Sequence, residues 1–408
     1  MTATANQLYS VGGVLLERPF KVRRLGHVGL NFTDMPAALR FYRTLLGFRI
    51  SDVIDHRTRV DPAKLEGLDP HTYFTRYASD HHSFVFGSKQ VREVVRPGST
   101  SRFPMVDIGQ MSWQVDTLAE TVNGTQWLKE RGVAITRTGR DMPGSNWHTY
   151  FLDPEGHNNE LYYGMEQIGW DGLTKPKPMY RDRFDQAPPL PQRSESQEVE
   201  EQLGDGANIL DGYRDPEEGP FSYDVGGVLL ARPFRVTAIG PLGLFVNDVD
   251  AELRFYTEAM GFTLSERASC LGEPVHYLRA SGEHHSLALY PMALKDRLGM
   301  NAPSTCAVLG FQVGSYQQLR DAVAFLKSEG LPLFEVPGDF HNGIDYAAHF
   351  LDPEGHCIRL YHAMEPVDWD GNPRPAGSRN QTPVGSWPDA LEDATSGFST
   401  RIFQGPLG

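Results

Sequence analysis

The chain has 408 residues, of which 40% are hydrophobic and 22% are charged, a composition typical of a globular protein rather than a disordered chain. Asp and Glu outnumber Lys and Arg by 52 to 38, and the net charge of −14 argues against partners such as nucleic acid or an anionic membrane. No segment approaches the roughly 18 apolar residues of a membrane span, and the amino terminus lacks the features of a signal peptide. The three cysteines have no metal-ligand spacing, so we expect a cytoplasmic protein without a disulfide framework or a zinc ribbon.

An internal repeat is the most informative feature of the chain. The motif VGGVLLERPF at 11–20 returns as VGGVLLARPF at 225–234, and ALRFYRTLLGF at 38–48 returns as ELRFYTEAMGF at 252–262. HHS and FLDPEGH also occur once in each half. Because the offset between matching motifs shrinks along the chain, the first half has an extra loop near 55–73. The second half is therefore predicted to be a near copy of the first.

Each half divides again into two similar patterns. The first half opens with an alternating strand over 23–32, and Asp34 then caps a helix with apolar residues at helical spacing that stops at Gly47. The remaining predicted elements of that half are strands near 48–54, 73–77 and 83–86, a strand from 111, a helix over 118–131, and strands over 133–138, 148–152 and 158–163. The pattern predicts an α+β protein of four βαβββ modules, two in each half.

We divide the chain into five segments. These are an amino-terminal arm over 1–22, a first paired domain over 23–172, a linker over 173–224, a second paired domain over 225–371 and a carboxy-terminal arm over 372–408. The linker is assigned from its KPKP and APPLPQ motifs and its acidic run, which show no sustained hydrophobic period. Both halves begin with GGVLL and end near Trp-Asp-Gly, at 170–172 and 369–371, and we expect these ends to pack over the domain edges.

A strand opening GHVGL, a helix ending FYRTLLGF and the terminal FLDPEGHNNELYY together resemble the vicinal oxygen chelate superfamily, which is also called the glyoxalase/bleomycin resistance/dioxygenase superfamily. The four-module length and the HHS strand are most similar to type I extradiol ring-cleaving dioxygenases. The similarity covers residues 22–166 and 235–366. It implies that each pair of modules curls into a cup and that one cup holds a divalent metal.

In the first half, the family's metal-ligand positions correspond to His27, Gln110 and Glu160. Extradiol enzymes use two His and one carboxylate on Fe(II), whereas here Gln110 stands where the second His is expected. The resemblance implies Fe(II), and the harder Gln oxygen also admits Mn(II), Zn(II) or Ni(II). Strand alternation puts Ser112 on the same face as Gln110. Two interpretations of Gln110 stay open: direct ligation, or a polar residue beside a site completed by water.

The second half differs at these positions, where it has Pro241, Val308 and Arg359. Proline has no side-chain donor, valine is apolar and arginine is a permanent cation, so this set does not bind a divalent metal. The resemblance therefore implies a metal in the first cup only, unlike the better known extradiol enzymes, where the carboxy-terminal pair of modules carries it.

The resemblance also implies roles for residues beside the metal. His82 matches a family histidine that handles the substrate proton and contacts bound dioxygen, which suits a group that titrates near neutral pH. Because the HHS pair recurs in the half without metal, at least one histidine of the pair is expected to be structural. Tyr150 matches a tyrosine that hydrogen-bonds a substrate oxygen. A third family histidine is missing from 141–143, and His148 is the neighbouring candidate for its role.

The sequence leaves three functions open. The first is a ring-cleaving dioxygenase whose partners are a small catechol-like or other vicinal-oxygen aromatic substrate and dioxygen. The second is an isomerase, epimerase or lyase of the same superfamily, which stabilises an enolate by chelation. The third is a non-catalytic protein that binds an aromatic ligand. We also expect a homo-oligomer, because the Pro-rich arms and the second cup offer surfaces for self-association.

Overall fold

The computed structural model describes residues 7–98, 104–140, 143–144, 147–169, 171–176, 191, 193–216, 219–367 and 370–391. Trp170 and Trp369 of the repeated Trp-Asp-Gly ends lie outside these ranges. None of the helices within them is long and apolar enough to cross a membrane.

The first half contains the predicted strands and helices in the predicted order, together with an amino-terminal hairpin and a helix over Lys89–Val95 that were not predicted. The strands are β1 (Tyr9–Val11), β2 (Val14–Leu16), β3 (Arg24–Phe32), β4 (Arg49–Asp55), β5 (His71–Arg76), β6 (Phe84–Ser88), β7 (Ile108–Gln114), β8 (Ile135–Gly139), β9 (Trp147–Leu152) and β10 (Asn158–Tyr163). The helices are α1 (Met35–Leu39), a π-helix (Arg40–Leu45), short 3₁₀ turns (His56–Thr58 and Pro62–Leu65), α2 (Lys89–Val95) and α3 (Leu118–Glu130).

The linker and the second half follow in the same way. The strands are β11 (Tyr223–Val225), β12 (Val228–Leu230), β13 (Val236–Val246), β14 (Thr263–Cys270), β15 (Glu273–Arg279), β16 (Leu287–Pro291), β17 (Cys306–Val313), β18 (Ala347–Leu351) and β19 (Cys357–Tyr361). The helices are α4 (Glu195–Gly204), a 3₁₀ turn (Ile209–Asp211), α5 (Val249–Arg254), a π-helix (Phe255–Ala259), α6 (Leu294–Arg297), α7 (Tyr316–Ser328) and 3₁₀ turns (Gly338–His341, Ala376–Ser378 and Val384–Ser386).

Each half forms one large mixed sheet from its paired modules. In the parts of the chain that the structure describes, the first sheet has eight strands in the order β4-β5-β6-β3-β7-β10-β9-β8, and the second has seven in the order β14-β15-β16-β13-β17-β19-β18. The first strands of the two modules, β3 and β7, pair antiparallel at the centre of their sheet. This symmetric order places the inward side chains of both modules on one curved face. The predicted α+β fold of paired modules is confirmed.

The first helix shows how local sequence signals define these modules. Asp34 caps α1 by accepting a hydrogen bond from the backbone N–H of Ala37 at 3.0 Å. The turn after the helix ends at Gly47, whose φ of +88° lies in the left-handed region that favours glycine. Phe41 and Tyr42, between these signals, are buried in the core. The cap and the stop predicted from the sequence are therefore both present.

The two halves pack against each other through the repeated FLDPEGH turns. In the first turn, His157 Nε2 lies 3.0 Å from Thr305 Oγ1 of the second half. In the second turn, His356 Nε2 lies 2.6 Å from Asp107 Oδ2 of the first half. Phe48 and Phe311 add an aromatic contact across the same interface, with ring centroids 5.2 Å apart. The repeated FLDPEGH motif thus joins the two halves.

Two further features, in the linker and in the last module, differ from the sequence expectation. The linker contains α4, although its sequence has no sustained apolar period; Ser194 and Gln197 form a reciprocal capping box at its start, which stabilises a helix without core contacts. In the last module, residues 331–337 form no strand, and one backbone hydrogen bond, from Phe334 N to His349 O at 2.7 Å, replaces the ladder that β8 makes in the first half.

Candidate metal centre

The predicted site residues of the first half lie on the central strands of its sheet. Register pairs His27 of β3 with Ser112 of β7, Ser112 with Glu160 of β10, and Glu160 with Tyr150 of β9. Because side chains alternate along a strand, residues paired in this way share one face of the sheet. Gln110 is two residues from Ser112 on β7 and so belongs to the same face.

His27 and Glu160 form the core of the site. His27 Nε2 lies 2.8 Å from Glu160 Oε2, and both side chains are 1% exposed. Ser112 Oγ donates a hydrogen bond to the same carboxylate oxygen at 2.5 Å. Burial disfavours the charged carboxylate, but the interactions with His27, His148 and Ser112 outweigh it and lower the pKa of Glu160 to about 2. The carboxylate is therefore ionised at neutral pH and needs no proton loss before it binds a cation.

His82 lies beside this pair, immediately before β6. Its ring stands edge-on to that of His27, with centroids 4.4 Å apart, and it is 4% exposed. Burial and the neighbouring His27, His81 and His148 hold the pKa of His82 well below its ordinary value. The imidazole is therefore neutral at physiological pH. The lowered pKa also makes it a weaker base than the histidine titrating near neutral pH that the sequence suggested.

Tyr150, His148 and Gln110 complete the cluster. His148 Nδ1 lies 3.7 Å from Glu160 Oε1, and the His148 ring contacts that of Tyr150, with centroids 4.8 Å apart. Tyr150 Oη donates a hydrogen bond to Gln110 Oε1 at 3.4 Å. The Gln110 side chain lies over Gly29, where a Cβ would approach Gln110 Cγ to 3.1 Å. The absence of a side chain at position 29 thus makes room for Gln110 at the site.

All six residues predicted for the site belong to one connected cluster: His27, His82, Gln110, His148, Tyr150 and Glu160. The donor set suits a divalent metal, because it combines a carboxylate oxygen, an imidazole nitrogen and an amide oxygen. Nδ1 of His27 has no hydrogen-bond partner although it is buried, so the contact of Nε2 with Glu160 satisfies only one of the two ring nitrogens. Whether each residue ligates or acts on substrate stays a prediction.

In the second cup, the position that matches Glu160 has a positive charge instead of a negative one. Arg359 is fully buried there, and its guanidinium donates hydrogen bonds to His349 Nε2 and to the carbonyl oxygen of Phe340, both at 3.0 Å. Pro241 and Val308, at the other two positions, are also buried. A fixed positive charge at the position of Glu160 is incompatible with a divalent metal in this arrangement.

A second group of candidate ligands lies at the interface between the halves. In the described ranges, Asp153, His157 and Glu252 are the group whose potential ligand atoms all lie within 4.8 Å of one another. Both nitrogens of His157 already form close contacts, Nδ1 with Asp153 Oδ2 at 2.8 Å and Nε2 with Thr305 Oγ1 at 3.0 Å. We therefore interpret this group as part of the interface rather than as the metal centre.

Sequence reasoning missed two contributions to the site. Ser112 was recognised only as a neighbour of Gln110 on one strand face, yet it donates directly to Glu160. The Arg137 guanidinium lies over the Tyr150 ring, 4.4 Å from its centroid, a favourable cation–π geometry. Strand alternation places Ser112 on the inward face, but its contact with Glu160 also depends on the register between β7 and β10. The position of Arg137 depends on the β8–β9 pairing, where the register shifts between Ile135 and Arg137.

Comparison with known proteins agrees with this architecture. The model of the Glyoxalase/Bleomycin resistance protein/Dioxygenase superfamily matches residues 24–161 and 238–360, together more than half of the chain. The chain belongs to this superfamily. Both matched ranges correspond to the paired modules of the two halves, so the repeat seen in the sequence is a repeat of the superfamily domain.

Individual members of the superfamily are more distant. The chain is 35% identical to the 3-methylcatechol 2,3-dioxygenase of Pseudomonas putida over an alignment that covers 21% of this chain and 32% of that enzyme. The alignment therefore spans about a third of that curated relative.

Among solved structures, the halotolerant catechol dioxygenase BphC superposes with a TM-score of 0.56 at 15% identity, over 87% of this chain and 91% of that chain. The Mn(II)-bound glyoxalase of Novosphingobium aromaticivorans gives 0.53 at 15% identity, over 86% and 85%. The two structures establish the fold.

Proposed function

We propose that the protein is a metal-dependent dioxygenase that cleaves the ring of a catechol-like or other vicinal-oxygen aromatic substrate, with the metal in the first half. The observation that carries the proposal is the fully buried contact between His27 Nε2 and Glu160 Oε2 at 2.8 Å, beside the neutral imidazole of His82. The similarity to a 3-methylcatechol dioxygenase supports the aromatic substrate class. Arg359 in the second cup argues for the first cup as the single metal site.

In this proposal His27, Gln110 and Glu160 hold the metal. A bound divalent metal would lower the pKa of the substrate hydroxyls and present dioxygen beside them. Glu160 contributes the negative charge of the set, and Ser112 orients its carboxylate through the 2.5 Å hydrogen bond. The register of β3, β7 and β10 fixes these side chains before substrate arrives.

The remaining residues of the cluster act on the substrate. His82 accepts a hydroxyl proton on its neutral imidazole and returns it later. Tyr150 donates a hydrogen bond to a substrate oxygen, and His148 lies beside it as a second polar contact. Phe74, whose ring centroid is 5.0 Å from that of His82, provides an apolar surface for an aromatic ring.

Oxygen uptake tests this function directly. Protein loaded with Fe(II) without air is expected to consume one dioxygen per catechol and to form a yellow ring-opened product. Glu160→Gln is expected to lose both the bound metal and the uptake, whereas Glu130→Gln, the same change at an exposed position on α3, retains them. No uptake by the Fe(II)-loaded wild type across a panel of catechols would refute the proposal.

A metal-dependent isomerase, epimerase or lyase is the second candidate, favoured by the neutral amide of Gln110 at a ligand position. It predicts full turnover of an enolisable vicinal-oxygen substrate without dioxygen, on Mn(II), Zn(II) or Ni(II). Tight aromatic binding that survives Glu160→Gln, with no turnover on any metal, would instead identify a binding protein. Metal analysis of wild type and Gln110→Ala distinguishes direct ligation by Gln110 from a site completed by water.

A further inference from the structure

Each half contains a chain of one carboxylate and two consecutive buried histidines. In the first half His81 Nδ1 lies 3.0 Å from His82 Nδ1, and His81 Nε2 lies 3.9 Å from Asp52 Oδ2. Asp52, His81 and His82 are 2%, 0% and 4% exposed. Because solvent does not screen these groups, the order carboxylate, histidine, histidine controls where their protons reside.

The second half repeats this arrangement with a glutamate in place of the aspartate. His284 Nδ1 lies 2.8 Å from His285 Nδ1, and His284 Nε2 contacts Glu266 Oε2 at 2.9 Å. Glu266 occupies the position of Asp52 in the repeat. A carboxylate only accepts hydrogen bonds, so the 2.9 Å contact with Glu266 favours a proton on Nε2 of His284. Arg379 Nη2 lies farther from the same nitrogen, at 3.4 Å.

Both inner histidines are also fixed in orientation. A Cβ at Gly144 would lie 2.2 Å from His81 Cγ, and a Cβ at Gly343 would lie 2.4 Å from His284 Cγ. Each ring therefore packs directly against a glycine backbone. The backbone N–H of His81 further donates to the carbonyl oxygen of Glu166 at 2.8 Å. An imidazole held in this way cannot flip to exchange its two nitrogens.

We propose that His81 is a positioning residue that keeps His82 in the tautomer with its proton on Nδ1, so that Nε2 is free to act as the base. Asp52 lies 3.9 Å from His81 Nε2, which is too far for a direct hydrogen bond, but its negative charge favours a proton on that nitrogen. His81 Nδ1 would then accept the hydrogen bond from the Nδ1–H of His82. This inference rests on the proposed function, because it assigns a reacting atom only if His82 takes a substrate proton.

In the proposed step, a proton moves from a substrate hydroxyl to His82. The substrate O–H bond breaks, its proton forms a bond to His82 Nε2, and the electron pair stays on the substrate oxygen. The resulting imidazolium donates through Nδ1 to His81, and the charge of Asp52 stabilises it. His285 has the same partners in the second half but no metal ligand beside it, since Pro241, Val308 and Arg359 occupy those positions.

Two variants test whether Asp52 and His81 affect the reaction rate without affecting substrate binding or metal content. Asp52→Asn removes the charge that fixes the His81 tautomer, and His81→Leu removes the acceptor; we expect either to lower kcat by roughly tenfold to a thousandfold while KM and metal content stay near wild type. His81→Asn retains an oxygen acceptor near the position of Nδ1 and is expected to restore much of the rate. The matched variant Glu266→Gln in the second half is expected to leave kcat unchanged.

A measurement of the tautomer tests the inference without activity. In Zn(II)-loaded protein labelled with ¹⁵N-histidine, His82 is expected to give the Nδ1–H pattern in wild type and to lose it in His81→Leu. If His82 has its proton on Nε2 in wild type, or if Asp52→Asn and Glu266→Gln lower kcat equally, the inference is wrong. If wild type shows the Nδ1–H tautomer but no loaded form takes up oxygen, the proposed function fails and the positioning of His82 stands.

Discussion

The ion pair between His356 and Asp107 makes the contact between the halves sensitive to pH. Burial alone would lower the pKa of His356, but Asp352 and Asp107 outweigh it and raise that pKa from 6.5 to about 10. The difference corresponds to about 4.8 kcal/mol at 1.36 kcal/mol per pH unit. Two carboxylates share this stabilisation, so we assign about 2 kcal/mol to Asp107. We predict that Asp107→Asn lowers the free energy of unfolding by this amount near pH 6.

The sign of the pH dependence follows from the direction of each shift. A raised histidine pKa stabilises the fold fully below the unfolded value of about 6.5, and the effect is lost as pH rises towards 10. The pKa of Asp107 is lowered, so its contribution is present above the unfolded value of about 3.8 and is lost as pH falls. The stabilising effect of the pair is therefore greatest between about pH 4 and 6.5, and Asp107→Asn is expected to cost less than about 1 kcal/mol at about pH 9.5.

Urea unfolding followed by tryptophan fluorescence measures these differences. The repeat supplies a control, because Thr305 occupies the position of Asp107 in the second half and contacts His157 through a neutral hydroxyl at 3.0 Å. Thr305→Val is expected to cost about 1 kcal/mol with the same pH dependence as wild type. An equal loss of stability for Asp107→Asn near pH 6 and near pH 9.5 would refute the electrostatic reasoning.

Three further predictions concern the candidate metal centre. His82→Gln is expected to lower kcat by about a hundredfold or more with metal content unchanged, which steady-state kinetics and metal analysis together check. Ser112→Ala removes the 2.5 Å hydrogen bond to Glu160 and is expected to weaken metal binding by about tenfold to a hundredfold, measured by chelator competition; unchanged affinity would show that Ser112 does not orient the carboxylate. Gly29→Ala places a methyl 3.1 Å from Gln110 Cγ and is expected to displace Gln110, which a crystal structure of the variant would show.

The repeat made much of the fold predictable. Matching motifs identify two halves, and the alternation between strand-like and helical segments identifies two modules in each. Local signals such as the Asp34 cap and the Gly47 stop depend only on neighbouring residues, so the sequence contains them in full. The helix α4 was missed because its stability comes from a capping box and helix-favouring composition, not from an apolar stripe.

For the candidate site, the sequence predicted the residues but not all of their contacts. His27, Gln110 and Glu160 were predicted as ligands because a resemblance to a family assigns positions along the chain. The contact from Ser112 to Glu160 was not found, because it requires the register between β7 and β10. The contact of Tyr150 with Gln110 was not predicted either, because the two residues lie on β9 and β7, which are separated by β10 in the sheet.

The sequence by itself determined the duplication, the module order and the charge reversal between Glu160 and Arg359, because these are properties of residues at matching positions along one chain. The tertiary structure alone decided which side chains meet: the His356 pair with Asp107, and the histidine chains that end at Asp52 and at Glu266. These contacts join residues 18 to 249 positions apart. Whether residues so far apart in sequence come into contact depends on sheet register and on how the halves pack, and no local sequence pattern specifies either.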